Sequence, residues 1–207
     1  MCLICRKEYD EKTTEIKCCS FVTEIPLLHN LTFLNCPSTK ITEIPLFPNL
    51  IELNCSNTKI TEIPLFSNLT FLICFETNIT EIPLLPNLTT LICSETKITE
   101  IPFLPNLTSL NCSRTNITEI PLFPNLIELN CSYTKITELP KMSNCYIYYS
   151  YCHWLKQWYE DNGNLNDFMI LVDKIKFLQK QYQKKKWNKI QKKIPLIRDI
   201  KNIIKNY

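Results

Sequence analysis

Apolar side chains return along this chain with a period of 19 residues. Copies begin at Leu31, Leu50, Leu69, Leu88, Leu107 and Leu126, and each keeps Leu at its first and fourth places and Cys at its sixth. In the first half, L-x-x-L-x-C, the step of two from Leu34 to Cys36, or from Leu53 to Cys55, predicts a short, half-buried strand. The second half carries a Thr (Thr39, Thr58, Thr77, Thr96, Thr115, Thr134), an Ile-x-x-Ile-Pro step, and then Leu-Phe-Pro-Asn or a close variant. Its prolines block a regular strand. A fixed period this short predicts a solenoid.

With one strand per coil and the return segment behind it, each strand pairs in parallel with the next at about 4.8 Å, so seven coils make a rod roughly 35 Å long. A single coil cannot enclose its Leu, Ile and Cys side chains. Stacked coils bury them as continuous columns, each large apolar side chain contributing roughly 1.5–3 kcal/mol.

Four segments follow. Residues 1–12 read as an N-terminal cap hairpin, 13–140 as a solenoid of about seven coils, 141–163 as a terminal strand and aromatic cap, and 164–207 as a basic helical C-terminal region. The first coil is imperfect: Thr13 to Asn30 fits the repeat after one deletion near Ser20, which puts Cys18 in the cysteine column. In the last segment Asn164 is placed to cap a helix whose Phe168, Leu171, Ile175, Leu178 and Tyr182 recur at spacings of three and four, until Pro195 ends it.

The pattern L-x-x-L-x-C-x-x-T-x-I-x-x-I-P resembles the leucine-rich repeat family, with Cys at the third apolar place and Thr where the family usually has Asn. The continuation Ile-Thr-Glu-Ile-Pro-Leu-Phe-Pro resembles the short bacterial-effector subtype, whose return side is extended rather than helical, and also the leucine-rich-repeat proteins of giant DNA viruses. The resemblance covers residues 13 to 140. It implies a parallel β-strand per coil, an extended return side and a role in protein–protein interaction. A Thr hydroxyl replaces only part of what a buried Asn amide would hydrogen-bond.

The composition narrows the chemistry. The chain has no Ala, two Val and one Gly, Gly163, against abundant Ile, Asn, Lys and Tyr, a bias of the kind AT-rich coding gives in viral or protist sources. With a single glycine, no G-x-G-x-x-G or Walker-type phosphate loop can be built. Only His29 and His153 are available to a hydrolytic triad or Cys–His pair, and His29 holds a place otherwise taken by Pro or Ser in a surface turn. No catalytic constellation emerges, so the chain is read as non-enzymatic. The charged start MCLICRK is unlike a signal peptide and no long apolar run exists, which implies a soluble, intracellular, cytoplasmic protein, in the host cytoplasm if viral.

Cysteine gives one metal candidate. Cys2 and Cys5 form a C-x-x-C like that opening zinc knuckles and the first half of a RING finger, and Cys18 and Cys19 supply two further thiols. Zinc at Cys2, Cys5, Cys18 and Cys19 is one reading; the other is a metal-free hairpin covering the first strand's edge. Adjacent cysteines rarely reach one tetrahedral metal because neighbouring strand side chains point apart. The column Cys36, Cys55, Cys74, Cys93, Cys112 and Cys131 is read as compact buried hydrophobes.

Partner binding is expected on the strand face. Its third places read Phe33, Glu52, Phe71, Thr90, Ser109, Glu128, and its fifth places Asn35, Asn54, Ile73, Ile92, Asn111, Asn130. Phe71, Ile73, Phe75 and Ile92 are expected to form an exposed apolar patch mid-way along the concave face, ringed by Glu52, Glu76, Glu95 and Arg114. A column of carboxylates, Glu24, Glu43, Glu62, Glu81, Glu100, Glu119 and Glu138, forms an acidic stripe partly offset by Lys40, Lys59, Lys97 and Lys135. Charge is unevenly divided: residues 141–207 hold 14 Lys and Arg against 5 Asp and Glu, and residues 1–140 hold 9 against 15.

The leading function is therefore a monomeric, non-enzymatic scaffold binding a protein on the concave face. A second reading is an adaptor for nucleic acid or acidic lipid, through Lys184, Lys185, Lys186, Lys189, Lys192 and Lys193, interleaved with Trp187 and Ile190. A third, a ubiquitin-ligase-type adaptor or effector, follows only from the effector and RING resemblances; the RING half lacks its partner ligands.

Overall fold

In the computed structural model, residues 1–137, 139–140 and 145–152 are described. They lie in one compact unit, Met1–Gln157. Each copy of L-x-x-L-x-C becomes one three-residue strand: β1 (Glu15–Lys17), β2 (Phe33–Asn35), β3 (Glu52–Asn54), β4 (Phe71–Ile73), β5 (Thr90–Ile92), β6 (Ser109–Asn111), β7 (Glu128–Asn130) and β8 (Tyr146–Tyr148). They form one parallel sheet in sequence order. Register follows the repeat, so Leu34 lies beside Leu53 and Leu53 beside Leu72. The described return segments contain no helix.

The core is a stack of ladders. The first-place, fourth-place and Cys columns are buried throughout, joined by Ile41 and its equivalents and by the second Ile of each step. At the corner where the return segment ends, Phe47, Phe66, Leu85, Leu104 and Phe123 also point inward. The middle residue of each strand from β1 to β7 is buried while its flanks are half-buried or exposed, as one residue facing a core between two facing out requires.

Two polar ladders close the turns. After each strand from β2 to β7 the Thr hydroxyl donates to the carbonyl of the Cys three residues earlier, at 2.8 Å for Thr39 and 2.6 Å for Thr58. Between them sits a residue with left-handed backbone, Ser38, Asn57, Glu76, Glu95, Arg114 or Tyr133, and Tyr151 takes the same conformation after β8, all with φ of 52° to 59°. The N–H of Ser38 donates to the Ser56 carbonyl, and that of Glu76 to Ser94, so each corner is tied to the next coil. At the opposite corner an Asn ladder crosses coils: Asn49 Nδ2 donates to the His29 carbonyl, Asn68 to Pro48 and Asn87 to Ser67.

The N-terminal cap differs from the expected hairpin. Residues Leu3–Arg6 form a single helical turn, α1, with Cys2 as N-cap and Lys7 left-handed at its end. Cys2, Leu3, Ile4 and Cys5 are consecutive, partly buried and uninterrupted by a turn residue. A strand would send alternate members to opposite faces, whereas the helical turn puts Cys2 and Cys5, three apart, on one side. At the other end β8 pairs with β7, and the Cys152 thiol donates to the Cys131 carbonyl at 2.8 Å. The expected helix over 164–194 lies outside the described residues, as does Glu138.

Candidate functional site

The strand face brings together part of the expected patch. Ile73 and Ile92 are register partners, and Phe71 lies between Glu52 and Thr90. Phe75 follows on the turn, where its carbonyl accepts the Asn57 N–H at 2.9 Å. Phe33 is separated from Phe71 by the β3 strand and has the Lys17 ammonium 5.8 Å from its ring centre. Phe71, Ile73, Phe75 and Ile92 are half-buried rather than exposed. Of the charged residues expected around them, Glu52 is the register neighbour of Phe71, while Glu76, Glu95 and Arg114 belong to the single column of left-handed corners.

That column forms a continuous rim. Arg114 Nε lies 3.8 Å from Glu95 Oε1, its guanidinium sits 5.2 Å from the Tyr133 ring centre, and Tyr133 stacks on Tyr151 at 4.5 Å. Beside it, a shallow depression on the strand face is lined by Ile92, Ser109, Asn111, Glu128, Asn130 and Tyr148.

Sequence reasoning missed a second apolar surface. Leu27, Leu46, Leu65, Leu84, Phe103 and Leu122, each following the proline of its Ile-Pro step, are 54% to 64% exposed and recur once per coil. They form a ladder on the return side. Three residues before each lies an exposed glutamate, Glu24 through Glu119, and among the described residues none of these carboxylates is in an ion pair. The signal was present as Leu-Phe between prolines, but two adjacent apolar residues do not reveal which one faces inward.

The cysteines divide into two environments. The column thiols are fully buried, and Cys36 Sγ donates weakly to the Asn54 carbonyl at 3.3 Å. Burial pushes the thiols of Cys55, Cys74 and Cys93 well up, and that of Cys112 up to about 12. Near the N-terminus, Cys2, Cys5 and Cys19 place their sulfurs within 4.8 Å of one another, and Cys5 and Cys19 are 3.3 Å apart. The Cys2 backbone N–H, the Cys5 thiol and the Phe21 backbone N–H together hold the Cys19 thiol down to about 6. Cys5, its hydrogen-bond partner, is pushed up to about 11. Cys18 does not join this cluster: its N–H donates to Asn35 as Cys36 does to Asn54, which puts it in the core column, and burial first, then the neighbouring thiols, raise it to about 12. The lysines from Lys184 to Lys193 lie outside the described residues. No helix among the described residues is long and apolar enough to cross a membrane.

Comparison with known proteins agrees with this geometry. The family described as Leucine Rich repeats (2 copies) matches residues 67–106 and 105–144. Among solved structures, YopM from Yersinia enterocolitica is 23% identical with a TM-score of 0.61, the match covering 70% of this chain and 38% of that one. A leucine-rich-repeat protein of Leptospira interrogans is 25% identical with a TM-score of 0.55, covering 64% of this chain and 41% of that one. The leucine-rich-repeat domain of a Shigella effector is 22% identical with a TM-score of 0.59, covering 78% and 80%. The chain thus spans less than half the length of the first two. No curated protein matches the sequence. Residues 67–144 thus match leucine-rich repeats in sequence, and the same coil runs in register from β1 to β8.

Proposed function

We propose that this solenoid is a non-enzymatic protein-interaction scaffold that holds its partner on the strand face. The carrying observation is the division of labour within each strand: the middle residue is buried in the core, which leaves its two neighbours free to differ from coil to coil. Those neighbours run from Glu52 through Phe71 and Ile73 to Ile92, bordered by the Glu95–Arg114–Tyr133 rim. A mixed apolar and polar surface of this kind suits a protein partner, with half-buried Phe and Ile as anchors and charges at the edge.

The ladder from Leu27 to Leu122 favours a second reading, in which the return side takes an amphipathic helix with basic residues along one flank. Helical turns repeat every 5.4 Å, close to the roughly 4.8 Å spacing of coils, so one apolar side chain per turn meets one rung. The neighbouring glutamates match a basic flank.

One experiment separates the two. Full-length protein and the variants Phe71→Asp/Ile73→Asp and Leu65→Asp/Leu84→Asp are used to capture partners from lysate, with circular dichroism confirming the fold. Loss of the captured protein only with the first pair supports the strand face, and loss only with the second moves the site to the ladder. Capture unaffected by either pair removes both.

A further inference from the structure

The cluster of Cys2, Cys5 and Cys19 is separate from both interaction faces. Among the described residues it is the one place where three metal-ligating side chains converge this closely. We infer that Cys2, Cys5 and Cys19 bind one zinc ion through three thiolates, with a fourth position open to water or an outside ligand, and that this ion fastens the N-terminal cap to the first coil.

The topology brings the ligands from two elements. Cys2 and Cys5 stand at the N-cap and third residue of α1, which turns both toward one side, and Cys19 follows directly on the first coil's column residue. A tetrahedral zinc with bonds of about 2.3 Å separates its sulfurs by about 3.8 Å. The observed 3.3 Å between Cys5 and Cys19, and the 4.8 Å limit for the set, bracket that value. A disulfide would need about 2.0 Å.

The cap also needs a fastener. The four-residue α1 contains no buried residue, and an isolated turn of that length does not hold itself in water. Yet it stands against β1, the otherwise open edge of the sheet. Binding zinc releases the protons still on the three thiols, so coordination energy becomes folding energy for the cap. Cys18 stays in the core column and takes no part. All three ligands are partly exposed, which leaves the fourth position reachable from solvent.

The test uses the full chain, purified with reductant and stripped by chelator, then titrated with zinc against a chromogenic chelator and, separately, with cobalt. The expected result is one zinc per chain and a thiolate-to-cobalt charge-transfer band. Both are lost in Cys19→Ser and kept in Cys18→Ala. Affinity in Cys19→Ser should fall by more than the about 10–100-fold that losing an outer-shell partner costs. Should Cys19→Ser fail to fold, Cys2→Ser takes its place, since residue 2 lies outside every coil. Cobalt spectra without the thiolate band, binding unchanged in the serine variants, or a Cys5–Cys19 disulfide in protein isolated from cells would each overturn the assignment.

Discussion

Asn35 shows how closely each coil is tuned. In later coils the strand-face amide oxygen is satisfied from two residues on: Asn54 by the Ser56 N–H, Asn111 by Ser113, Asn130 by Ser132. Asn35 is followed by Pro37, which has no N–H, and its Oδ1 is buried without a donor. Ile73 and Ile92 occupy the same column without difficulty. Replacing Asn35 by Ile should therefore raise stability by about 1 kcal/mol, the order of cost of an unmet buried polar group. A shift of the urea midpoint to higher concentration, with an unchanged slope, is the expected reading; a lower midpoint would show that the amide has a partner after all. At this scale the sequence was readable wherever a residue type recurs with one neighbour pattern, as at Leu34 or Cys36. It was unreadable at Leu46 and Phe47, where proline disrupts the alternation and only packing decides that Phe turns in and Leu out.

At the scale of elements, strands, order and register followed from the repeat because every coil poses the same packing problem. The N-terminal turn did not, since four residues carry too little periodicity to separate a helix from a strand. The cysteine column makes a prediction here. All six of its thiols are raised above their ordinary value of about 9, five chiefly by burial and Cys131 first by its hydrogen-bond partner Cys152 and then by burial. The folded chain keeps protons that the unfolded chain releases above pH 9, so this stabilisation is complete below pH 9. It is lost as pH rises toward the folded values, about 12 for Cys112, at up to about 1.4 kcal/mol per thiol per pH unit. The melting temperature should be level from pH 6 to 8 and drop steeply from about pH 9. Cys74→Ala should lessen that alkaline slope by one thiol's share; an identical slope would mean that other groups govern it.

For the solenoid as a whole, coils touch chiefly their neighbours, so stability is close to a sum over coils and the interfaces between them. Removing one complete coil, residues 107–125, should leave a cooperative fold whose strands 90–92 and 128–130 now pair, with the same buried columns on both sides. The denaturant slope should fall by about one seventh, in proportion to the surface removed. Loss of the far-ultraviolet signal would instead show that this coil carries the rest. The acidic balance of residues 1–140 was legible as a count, but its consequence was not. Only the fold shows that Glu24, Glu43, Glu62, Glu81, Glu100 and Glu119 run beside an exposed apolar ladder, with no ion pair to any of them among the described residues.

The scarcity of glycine has an effect on what this surface can become. A left-handed corner ordinarily favours glycine, since a side chain there costs roughly 1–2 kcal/mol. Here the corners hold Ser38, Asn57, Glu76, Glu95, Arg114, Tyr133 and Tyr151, each locked by the turn it closes. Glycines would have left that edge blank. Instead each coil displays one side chain outside the core, running from Ser and Asn through Glu and Arg to Tyr along the stack, so that edge can be rewritten corner by corner while the columns that fold the protein stay as they are.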